Sequence, residues 1–401
     1  MASKRWEVYK IGDACELITG FPFKSKEYLD DGKYRVVRGD NVKSGYLYWK
    51  DKTRCWDELN DRLEKYLLRE NDIVIGMDGS RVGKNRAIVN QIDLPAILAQ
   101  RVACLRSNSR FSQDYIRYVI MSSEFENYVK SIKTGTSIPH ISLKQISEFT
   151  FLAPSLEEQN VIAHILSTLD EKIETNNQIN RNLEEMAQAL FKHWFVDFEF
   201  PNEDGEPYKS SGGEMVESEL GMIPKGWRVH RNSEIFELLY GKALKAEDRC
   251  KGLYPVYGSN GIVGYHNEAL VKGPGIVVGR KGNPGTVNFV WDDFYPIDTT
   301  FYVDSKVSII YLYFALEAQN LDKLGTDSAV PGLNRNIAYM NLILIPNENN
   351  LKCFDETIIP TFNYIKCKER ENNQLLALRD TLLPKLMSGE IRVPLDQEGE
   401  A

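Results

Sequence analysis

The sequence predicts a fold of the α/β (α+β) class, in which two similar mixed α/β globular domains are separated by two long helices. Three observations support this prediction. One central stretch has the apolar spacing of a long coiled-coil helix, a second stretch near residue 370 has a similar pattern, and short motifs of the first half return in order in the second half. Two such helices can pack against each other as an antiparallel coiled coil, which gives the chain a pseudo-twofold internal repeat.

The first long helix is predicted to begin at Ser155, which forms a capping-box pattern with Glu158, and no glycine or proline follows until Pro201. A helix of ~40 residues is roughly 60 Å long, which is long for a globular protein. Asn176 and Asn180 occupy seam positions, where a buried asparagine selects register and partner at a cost in stability. The apolar seam residues recur at steps of four and three: Ile162, Leu166, Leu169, Ile173, Leu183, Ala187, Leu190 and Trp194. A single long core helix is the alternative interpretation.

The second long helix is predicted over 354–387, with a less regular seam. Pro384 lacks an amide donor and is expected to kink or end this helix. The Ser388-Gly389 pair is a natural stop signal. The apolar positions are Ile358, Phe362, Ile365, Leu375, Leu376, Leu378, Leu382, Leu383 and Leu386.

Both globular domains are predicted to mix short strands with helices, because β-type runs alternate with Gly, Asp and Asn turns. In the first domain the strands are expected at Tyr34–Val37, 72–75, 86–89 and 102–105, and a helix at 114–128. In the second domain the strands are expected at 254–257, Gly275–Gly279 and 287–291, and a helix at 307–318.

The internal repeat is indicated by ordered matches between the two halves. The matching pairs are Trp6 with Trp227, Val8 with Val229, Gly20 with Gly241, Lys24 with Lys245, 73–76 with 276–279, Ile138-Pro139 with Val330-Pro331, Pro154 with Pro346, and Asn176-Asn177-Gln178 with Asn372-Asn373-Gln374. The predicted boundaries are a globular domain at 1–154, a long helix at 155–200, a polar Gly/Ser-containing linker at 201–225, a second globular domain at 226–347, a long helix at 348–391 and an acidic tail at 392–401.

Composition limits the class of protein. The hydrophobic share of 42% is ample for real cores, and no secretory signal or apolar run of about 20 residues is visible. Six scattered cysteines without a Cys-x-x-Cys pair indicate reduced, mostly buried thiols in a cytoplasmic protein. The five histidines form no pair at metal-ligand spacing, so no metal site is predicted.

The net charge of −8 argues against a stand-alone nucleic-acid binder, because neutralising phosphates requires basic surface. The charge is unevenly distributed, with acidic residues concentrated in 155–220 and in the tail. Basic clusters lie elsewhere: Arg35/Arg38/Lys43, Arg81/Lys84/Arg86, Lys242/Lys245/Arg249/Lys251 and Arg280/Lys281.

Two similar domains held at a fixed separation suit duplex DNA, whose half-sites repeat about every 34 Å along one face. The stretch 79–86 offers glycines for close backbone approach and Arg or Lys for phosphates and guanine, and 279–285 is its counterpart. The stretch 134–140 adds hydroxyls and an imidazole, paralleled by 325–328 and 334–335. Ordinary turns with solvated charges are the alternative. The candidate DNA-binding residues are Arg38, Arg81, Lys84, Arg86, Thr136, Ser137, His140, Lys242, Lys245, Asn260, Arg280, Lys281, Asn283, Asn334 and Arg335.

Catalytic motifs are missing from the sequence. Lys84 follows Gly83, but Asp78 and Asn85 occupy the other positions that a phosphate-binding P-loop requires. There is no Asn-Pro-Pro-aromatic motif of an adenine methyltransferase and no Ser/His/Asp or Cys/His arrangement. These observations favour a binding subunit over an enzyme.

Two long motifs give the chain a resemblance to the DNA specificity subunit of type I restriction–modification systems. The stretch 154–198 contains Pro-Ser-Leu-Glu-Glu-Gln at 154–159 and Met-Ala-Gln-Ala-Leu-Phe at 186–191, followed by Trp194, and is similar to the family's central conserved region. The stretch 378–391, with Leu-Leu-Pro-Lys-Leu and Ser-Gly-Glu-Ile, is similar to its distal conserved region.

The resemblance implies that each globular domain is a target-recognition domain that reads one half of a bipartite site in double-stranded DNA. It also implies that the helices set the spacing and bind two modification (methyltransferase) subunits. S-adenosylmethionine, ATP and Mg²⁺ are then expected only on the partner subunits, the last two on restriction/translocase subunits, and no cofactor is expected on this chain.

The long helices carry more aromatic residues than a two-helix seam can bury, which predicts a partner-binding surface. The candidate partner-binding residues are Phe191, Trp194, Phe195, Phe198, Leu382 and Leu386. The alternative function is a coiled-coil scaffold that joins two protein- or carbohydrate-binding heads, and an orphan nuclease is a more distant one because no nuclease site is visible.

Overall fold

The computed structural model describes residues 6–50, 53–133, 139–324 and 332–395. The chain divides into two compact units. Unit 1 comprises Met1–Glu174 and Asn372–Ala401, and unit 2 comprises Thr175–Glu371. Each unit therefore contains one globular head and one segment of each long helix. We call residues 6–154 head 1 and residues 196–347 head 2.

Head 1 contains a five-stranded sheet, a three-stranded sheet and one separate strand pair. Its strands are β1 (Glu7–Lys10), β2 (Cys15–Thr19), β3 (Tyr34–Val37), β4 (Ser44–Gly45), β5 (Cys55–Trp56), β6 (Ile73–Gly76), β7 (Arg86–Ile88), β8 (Ala96–Leu98), β9 (Val102–Ser107) and β10 (Thr150–Ala153). Its helices are α1 (Ile11–Ala14), α2 (Asp61–Glu64), α3 (Gln113–Met121), α4 (Ser123–Ile132) and α5 (Leu143–Ser147). The larger sheet has the order β2-β9-β6-β7-β4, the smaller one β5-β3-β8, and β1 pairs with β10.

All four strands predicted for head 1 are present, with ends that differ by at most two residues. The predicted helix at 114–128 is instead two helices, α3 and α4. Ser122 separates them, because its extended backbone ends α3 and its hydroxyl accepts a hydrogen bond from the Phe125 amide at 3.2 Å. A serine N-cap of this kind satisfies an amide that the helix itself leaves free.

The first long helix, α6 (Leu156–Phe195), is continuous over 40 residues, as its heptad pattern predicts. The Ser155 hydroxyl accepts from the Glu158 amide at 3.3 Å, which forms one half of the predicted capping box. The Glu158 carboxylate pairs with Arg392, with an Nε–Oε1 distance of 2.7 Å. Asn176 and Asn180 are buried, as expected for seam positions.

Head 2 repeats this plan. Its strands are β11 (Met215–Ser218), β12 (Gly221–Pro224), β13 (Arg228–Arg231), β14 (Phe236–Tyr240), β15 (Tyr254–Gly258), β16 (Gly261–His266), β17 (Gly275–Gly279), β18 (Val287–Val290), β19 (Tyr295–Pro296), β20 (Thr300–Ser305) and β21 (Leu342–Ile345). Its helices are α7 (Asn232–Ile235), α8 (Ile309–Ala318) and α9 (Arg335–Met340), and the second long helix is α10 (Glu348–Ser388). The main sheet has the order β14-β20-β17-β18, the second sheet β16-β15-β19, and β13 pairs with β21.

The internal repeat is confirmed at the level of single hydrogen bonds. The order β2-β9-β6-β7 in head 1 matches β14-β20-β17-β18 in head 2. The Gly20 amide donates to the Val102 carbonyl at 3.2 Å, and the Gly241 amide donates to the Thr300 carbonyl at 3.1 Å. A Cβ on either glycine would overlap a backbone carbonyl oxygen, that of Ala99 or of Ile297. Glycine is therefore required at both matched positions.

The segment 201–225, predicted to be a polar linker, contains ordered structure. Strands β11 and β12 pair in a hairpin, and the turn between them ends at Gly221, whose φ of 90° is a conformation that glycine adopts without strain. Phe200 stacks on Trp227 with ring centroids 4.8 Å apart, and Ile223 is also buried in the core. The linker prediction rests on the average polarity of the segment, and this average hides the few apolar side chains that pack into the core.

Pro384 is predicted to kink or end the second long helix, but α10 continues through it to Ser388, so Pro384 does not end it. The helix ends where the Ser388-Gly389 pair predicts, and Gly389 has a φ of 75°. Four residues of helix follow Pro384, and they place Leu386 in the core of unit 1.

The two long helices run antiparallel within each unit. In unit 1, Asp170 near the start of α6 pairs with Arg379 near the end of α10, at 2.9 Å. In unit 2, Trp194 at the end of α6 packs on Phe354 near the start of α10, with ring centroids 5.7 Å apart. No helix of the described residues is long and apolar enough to cross a membrane.

The cysteines are free, as predicted, but only half of them are buried. Cys15, Cys55 and Cys104 lie in head 1 and are buried, whereas the other three are exposed in unit 2. The expectation of mostly buried thiols is therefore wrong for unit 2.

Candidate nucleic-acid interface

In head 1, a loop that joins β6 to β7 presents the predicted basic residues. Gly79 and Gly83 have φ values of 102° and 88°, which allow the tight turns around Arg81. The Arg81 side chain is exposed, and Lys84 is exposed with its Nζ 3.8 Å from Glu126. Both side chains can therefore reach a ligand such as a phosphate.

Arg86 has a different role from the one predicted. It lies in β7 with a buried side chain, and its guanidinium donates to the carbonyls of Ile120 and Ser122 at 2.6 and 3.0 Å. It also pairs with Glu126, and burial lowers its pKa. Strand register decides this outcome, since Arg86 points into the core. Arg86 therefore stabilises head 1 and is not available to DNA.

The remaining predicted residues of head 1 lie around this loop or outside the described residues. His140 is exposed and forms a β-bridge with Asp78 at the start of the loop. Arg38 follows β3, and its guanidinium lies 5.7 Å from the Tyr28 ring centroid. Thr136 and Ser137 lie outside the described residues.

In head 2, the equivalent loop joins β17 to β18. Gly282 and Gly285 have φ values of 85° and 81°, and Lys281 and Asn283 are exposed. Arg280 is half-buried at the base of the loop. Its backbone amide donates to the Thr299 carbonyl, and its carbonyl accepts from the Leu333 amide, both at 2.9 Å.

Four other predicted residues of head 2 lie on separate turns. Lys242 is exposed just after β14, and Lys245 is exposed with its Nζ 3.5 Å from Glu247. Asn260 is exposed in the turn between β15 and β16. The Asn334 side chain caps α9 by accepting from the Asn336 amide at 2.9 Å, so part of its hydrogen-bonding capacity serves the fold.

Arg335 joins a cluster that the sequence prediction missed in part. Its guanidinium lies 5.2 Å from the ring centroid of Tyr240, and the Arg280 guanidinium lies 4.8 Å from the same centroid. Tyr240 is the last residue of β14 and directly precedes Gly241. The repeat match at Gly241 was the signal in the sequence that could have drawn attention to this position.

In head 1 the sequence prediction missed two residues at the base of the loop, Asp78 and Arg101. The two side chains form an ion pair with an N–O distance of 3.0 Å, and Arg101 has a φ of 66°. A positive φ is uncommon for a residue other than glycine, and such residues are often found at functional sites. No run of basic residues marks Arg101 in the sequence.

Equivalent backbone positions in the two heads carry different side chains. The Met77 amide donates to the Arg101 carbonyl and the Ile141 amide to the Met77 carbonyl, both at 2.9 Å, which is the pattern that Arg280 makes in head 2. Met77 therefore corresponds to Arg280. One residue on, Asp78 bridges His140 and Lys281 bridges Gly332, so Asp78 corresponds to Lys281. The two heads share a framework and differ in the side chains that it presents.

Comparison with known proteins shows the family. The family model described as the type I restriction modification DNA specificity domain matches residues 3–185 and 224–343, which is more than half of the chain. The chain belongs to this family of DNA specificity subunits. Its contribution to a restriction–modification system is therefore recognition of DNA sequence and not catalysis.

Full-length relatives support this assignment. The chain is 26% identical to the type I restriction enzyme MjaIX specificity subunit of Methanocaldococcus jannaschii, over 97% of this chain and 94% of the relative. It is 23% identical to the HindI specificity subunit of Haemophilus influenzae, over 96% and 99%. The crystal structure of a type I restriction–modification S subunit from M. genitalium has the same fold, with a TM-score of 0.60 at 18% identity and 96% coverage of each chain.

The predicted partner-binding residues of this specificity subunit lie in the cores or, for Phe198 and Leu382, are partly buried against them. Phe191 stacks on Phe314 at 5.4 Å, Phe195 packs on Tyr311 at 4.9 Å, and Phe198 packs on Trp227 at 5.7 Å between ring centroids. Trp194 is buried in the same cluster. The premise that these aromatics exceed what the helices can bury is wrong, because head 2 covers them.

The same correction holds in unit 1. Leu386 is buried in its core, and Leu382 packs against that core. The exposed apolar side chains of the long helices are others. On the unit 2 segments, Met186 has an exposed fraction of 66%, Tyr364 of 48% and Ile359 of 42%. Among the described residues, no group of three His, Cys, Asp or Glu side chains is placed to hold a metal ion.

Proposed function

We propose that this specificity subunit reads a bipartite target in double-stranded DNA, with head 1 reading one half and head 2 reading the other. The observation that supports the proposal is the pair of matched loops, in which the same backbone carries Met77 and Asp78 in head 1 and Arg280 and Lys281 in head 2. A shared framework holds each loop in the same way, and different side chains select different bases. The two half-site sequences are therefore expected to differ.

Binding to DNA is tested on the chain purified together with the modification subunit of its own system. The complex is offered a library of random duplexes, and the bound fraction is sequenced. We expect a bipartite motif with two unlike halves, and affinity that falls steeply as salt rises, because basic side chains displace counterions from phosphates. A complex that binds no duplex at any salt concentration would favour the protein- or carbohydrate-binding scaffold instead.

The long helices are proposed to set the gap between the two half-sites. Support comes from their continuity, since α6 and α10 each run without interruption through residues of both units. Inserting seven residues near Asn177, with a matching insertion near Asn373, lengthens each helix by about 10 Å, or roughly three base pairs. The half-sites should stay the same while the gap grows, and an unchanged gap would contradict this role.

We also propose that two modification subunits bind the chain and methylate adenine, with S-adenosylmethionine on those subunits and ATP and Mg²⁺ on any restriction/translocase subunits. We assign the partner contact to exposed apolar side chains of the long helices in place of the buried aromatics, with Met186 the most exposed of them. Met186→Asp should reduce co-purification of the modification subunit, whereas the neighbouring Glu185→Gln should not. Undiminished co-purification of the Met186→Asp chain would count against this assignment. A cytoplasmic location, where such a complex meets DNA, stays a prediction.

A further inference from the structure

Head 2 contains two arginines on one aromatic ring. The guanidinium carbons of Arg280 and Arg335 lie 4.8 and 5.2 Å from the centroid of Tyr240, and the exposed fraction of Tyr240 is 49%. Both distances are within the range of an attractive cation–π contact. The two cations nevertheless repel each other, because they are held beside the same ring.

Backbone carbonyls, and not carboxylates, accept from these guanidiniums. Arg280 donates to the Asp298 carbonyl at 3.1 Å, and Arg335 donates to the Leu238 carbonyl at 3.3 Å. Within the described part of the chain, no Asp or Glu side chain forms an ion pair with either arginine. Two cations that have no carboxylate partner among the described residues, and that keep spare N–H donors, favour a ligand rich in hydrogen-bond acceptors.

The fold does not require this cluster, as head 1 demonstrates. Thr19 occupies the position of Tyr240, because each is the last residue of its strand and precedes the matched glycine. Met77 occupies the position of Arg280, and Leu143 begins α5 as Arg335 begins α9. Head 1 forms the same sheet order with Thr, Met and Leu at these places. Head 1 therefore shows that the shared framework forms without this cluster.

Arg280 is the better placed of the two for reading a base. Its backbone is fixed by hydrogen bonds on both sides, and Gly279 before it could not accept a Cβ without overlapping the Asn283 carbonyl. The ring of Tyr240 and the Asp298 carbonyl restrict its side chain, so little rotamer entropy remains to be lost on binding. An arginine held in this way matches the O6 and N7 acceptors of guanine, which it can bind through two parallel N–H donors.

We propose that Arg280 reads a guanine in the half-site of head 2, and that Tyr240 is the residue that positions its guanidinium. This inference rests on the proposed DNA-reading function of head 2. Arg335 supplies the second positive charge of the cluster, directed to the DNA backbone beside that guanine. The role of Tyr240 is carried by its ring and not by its hydroxyl.

The test is the sequence motif bound by the chain in complex with its modification subunit, read from a library of random duplexes. Arg280→Ala should leave the motif intact except at one guanine of one half-site, where discrimination against other bases falls about 5- to 150-fold. Tyr240→Ala should relax the same position to a smaller extent, and Tyr240→Phe should restore it. Arg335→Ala should lower affinity for all duplexes alike and reduce the salt dependence of binding.

Arg228→Ala is the matched control, because Arg228 is exposed in unit 2 on strand β13, outside the cluster. Thermal unfolding of each variant checks that head 2 remains folded. A bipartite motif that Arg280→Ala leaves unchanged would overturn this inference alone. A uniform loss of affinity in Arg280→Ala would also overturn it, because it would make Arg280 a phosphate contact. A wild-type complex without any motif would instead overturn the proposed function itself.

Discussion

In both units the head packs against the long helices, but the side chains that make this contact are charged in unit 1 and aromatic in unit 2. In unit 1, the Asp170 carboxylate on α6 accepts from the Tyr118 hydroxyl at 2.8 Å and pairs with Arg117 at 3.3 Å and Arg379 at 2.9 Å. A second ion pair joins Glu158 on the same helix to Arg392, which follows the end of α10. Charged groups that are only partly exposed thus join head 1 to both helices.

In unit 2, aromatic rings take these positions. Phe362 corresponds to Asp170, because each lies 16 residues after one of the matched prolines, Pro346 and Pro154. Phe362 packs on Phe314 at 5.7 Å and on Tyr313 at 6.5 Å. These residues correspond to Tyr118 and Arg117, because they follow Tyr311 as Tyr118 and Arg117 follow Tyr115. The Tyr311 and Tyr115 hydroxyls donate to the carbonyls of Leu344 and Leu152, each two residues before a matched proline. The comparison teaches that the fold specifies where contact is made and leaves the chemistry of the contact open. This agrees with the general finding that a partly buried ion network and a well-packed apolar cluster can stabilise a protein to similar extents.

The largest expected effect comes from removing the centre of the aromatic cluster. Phe354 is fully buried and packs on Phe191, Trp194, Phe195 and Phe314. Phe354→Ala should lower the free energy of unfolding of unit 2 by about 3–5 kcal/mol, through lost burial and the cavity left behind. Hydrogen exchange followed by mass spectrometry should report loss of protection in head 2, while peptides of head 1 keep theirs. Equal loss in both heads would show that the units are not separate in stability.

The matched glycines test whether the heads are equivalent in framework. A Cβ at Gly20 or Gly241 overlaps a carbonyl oxygen, so Gly20→Ala and Gly241→Ala should each destabilise their own head by about 1–3 kcal/mol or more. Gly39→Ala is the control, because a Cβ placed there meets no atom within 4 Å apart from those of its two chain neighbours. Chemical denaturation measures the three variants. An effect in one head and none in the other would break the proposed equivalence.

The charged network of unit 1 should be replaceable by the residues of unit 2. Asp170→Asn removes the carboxylate that pairs with Arg117 and leaves Arg379 with Asp380 alone, so it should cost about 1–2 kcal/mol. Exchanging the whole set, with Arg117→Tyr, Tyr118→Phe, Asp170→Phe and Arg379→Leu together, should return the free energy of unfolding to within about 1.5 kcal/mol of wild type. A fourfold variant that is more stable than Asp170→Asn would support the exchange of one set of contacts for the other. A fourfold variant that is less stable would contradict it.

The smallest expected effect is a difference in pH dependence. In unit 2, burial raises the pKa of Glu317 and of Asp355, so the folded state holds protons there more tightly than the unfolded state. The contribution of these two groups to the free energy of unfolding of unit 2 should increase as pH falls from 7 towards their ordinary pKa values. In unit 1, Lys130 lowers the pKa of Glu126, so its contribution is constant in this range and is lost only at more acidic pH.

Hydrogen exchange of the two heads at pH 7 and pH 5 measures this difference. Head 2 should become better protected relative to head 1 after correction for the intrinsic exchange rates. In Glu317→Gln the gain should shrink, because the side chain no longer titrates. An undiminished gain in that variant would assign the effect to other groups.

Much of the fold follows from sequence pattern, since the heptad spacing of α6 and the repeated Trp, Gly and Asn positions each reflect a local geometric requirement. The partner surface could not be predicted in the same way. Periodicity indicates which residues share a helix face, but it does not say that head 2 packs on Phe191 and Phe195. Likewise, Arg81 and Arg86 are both basic and close in sequence. Arg86 lies in β7, whose register turns its side chain into the core, whereas Arg81 lies in the loop before that strand and is exposed.

In the proposed function each head reads its own half-site independently of the other head. The direct measurement is the methylated motif obtained when the wild-type chain, Arg81→Ala or Arg280→Ala is expressed with its modification subunit, with the exposed Arg110→Ala as a control. Arg81→Ala should change one half of the motif and Arg280→Ala only the other, with the gap and the remaining bases unchanged. Changes of both variants in the same half, or of either variant in both halves, would contradict it.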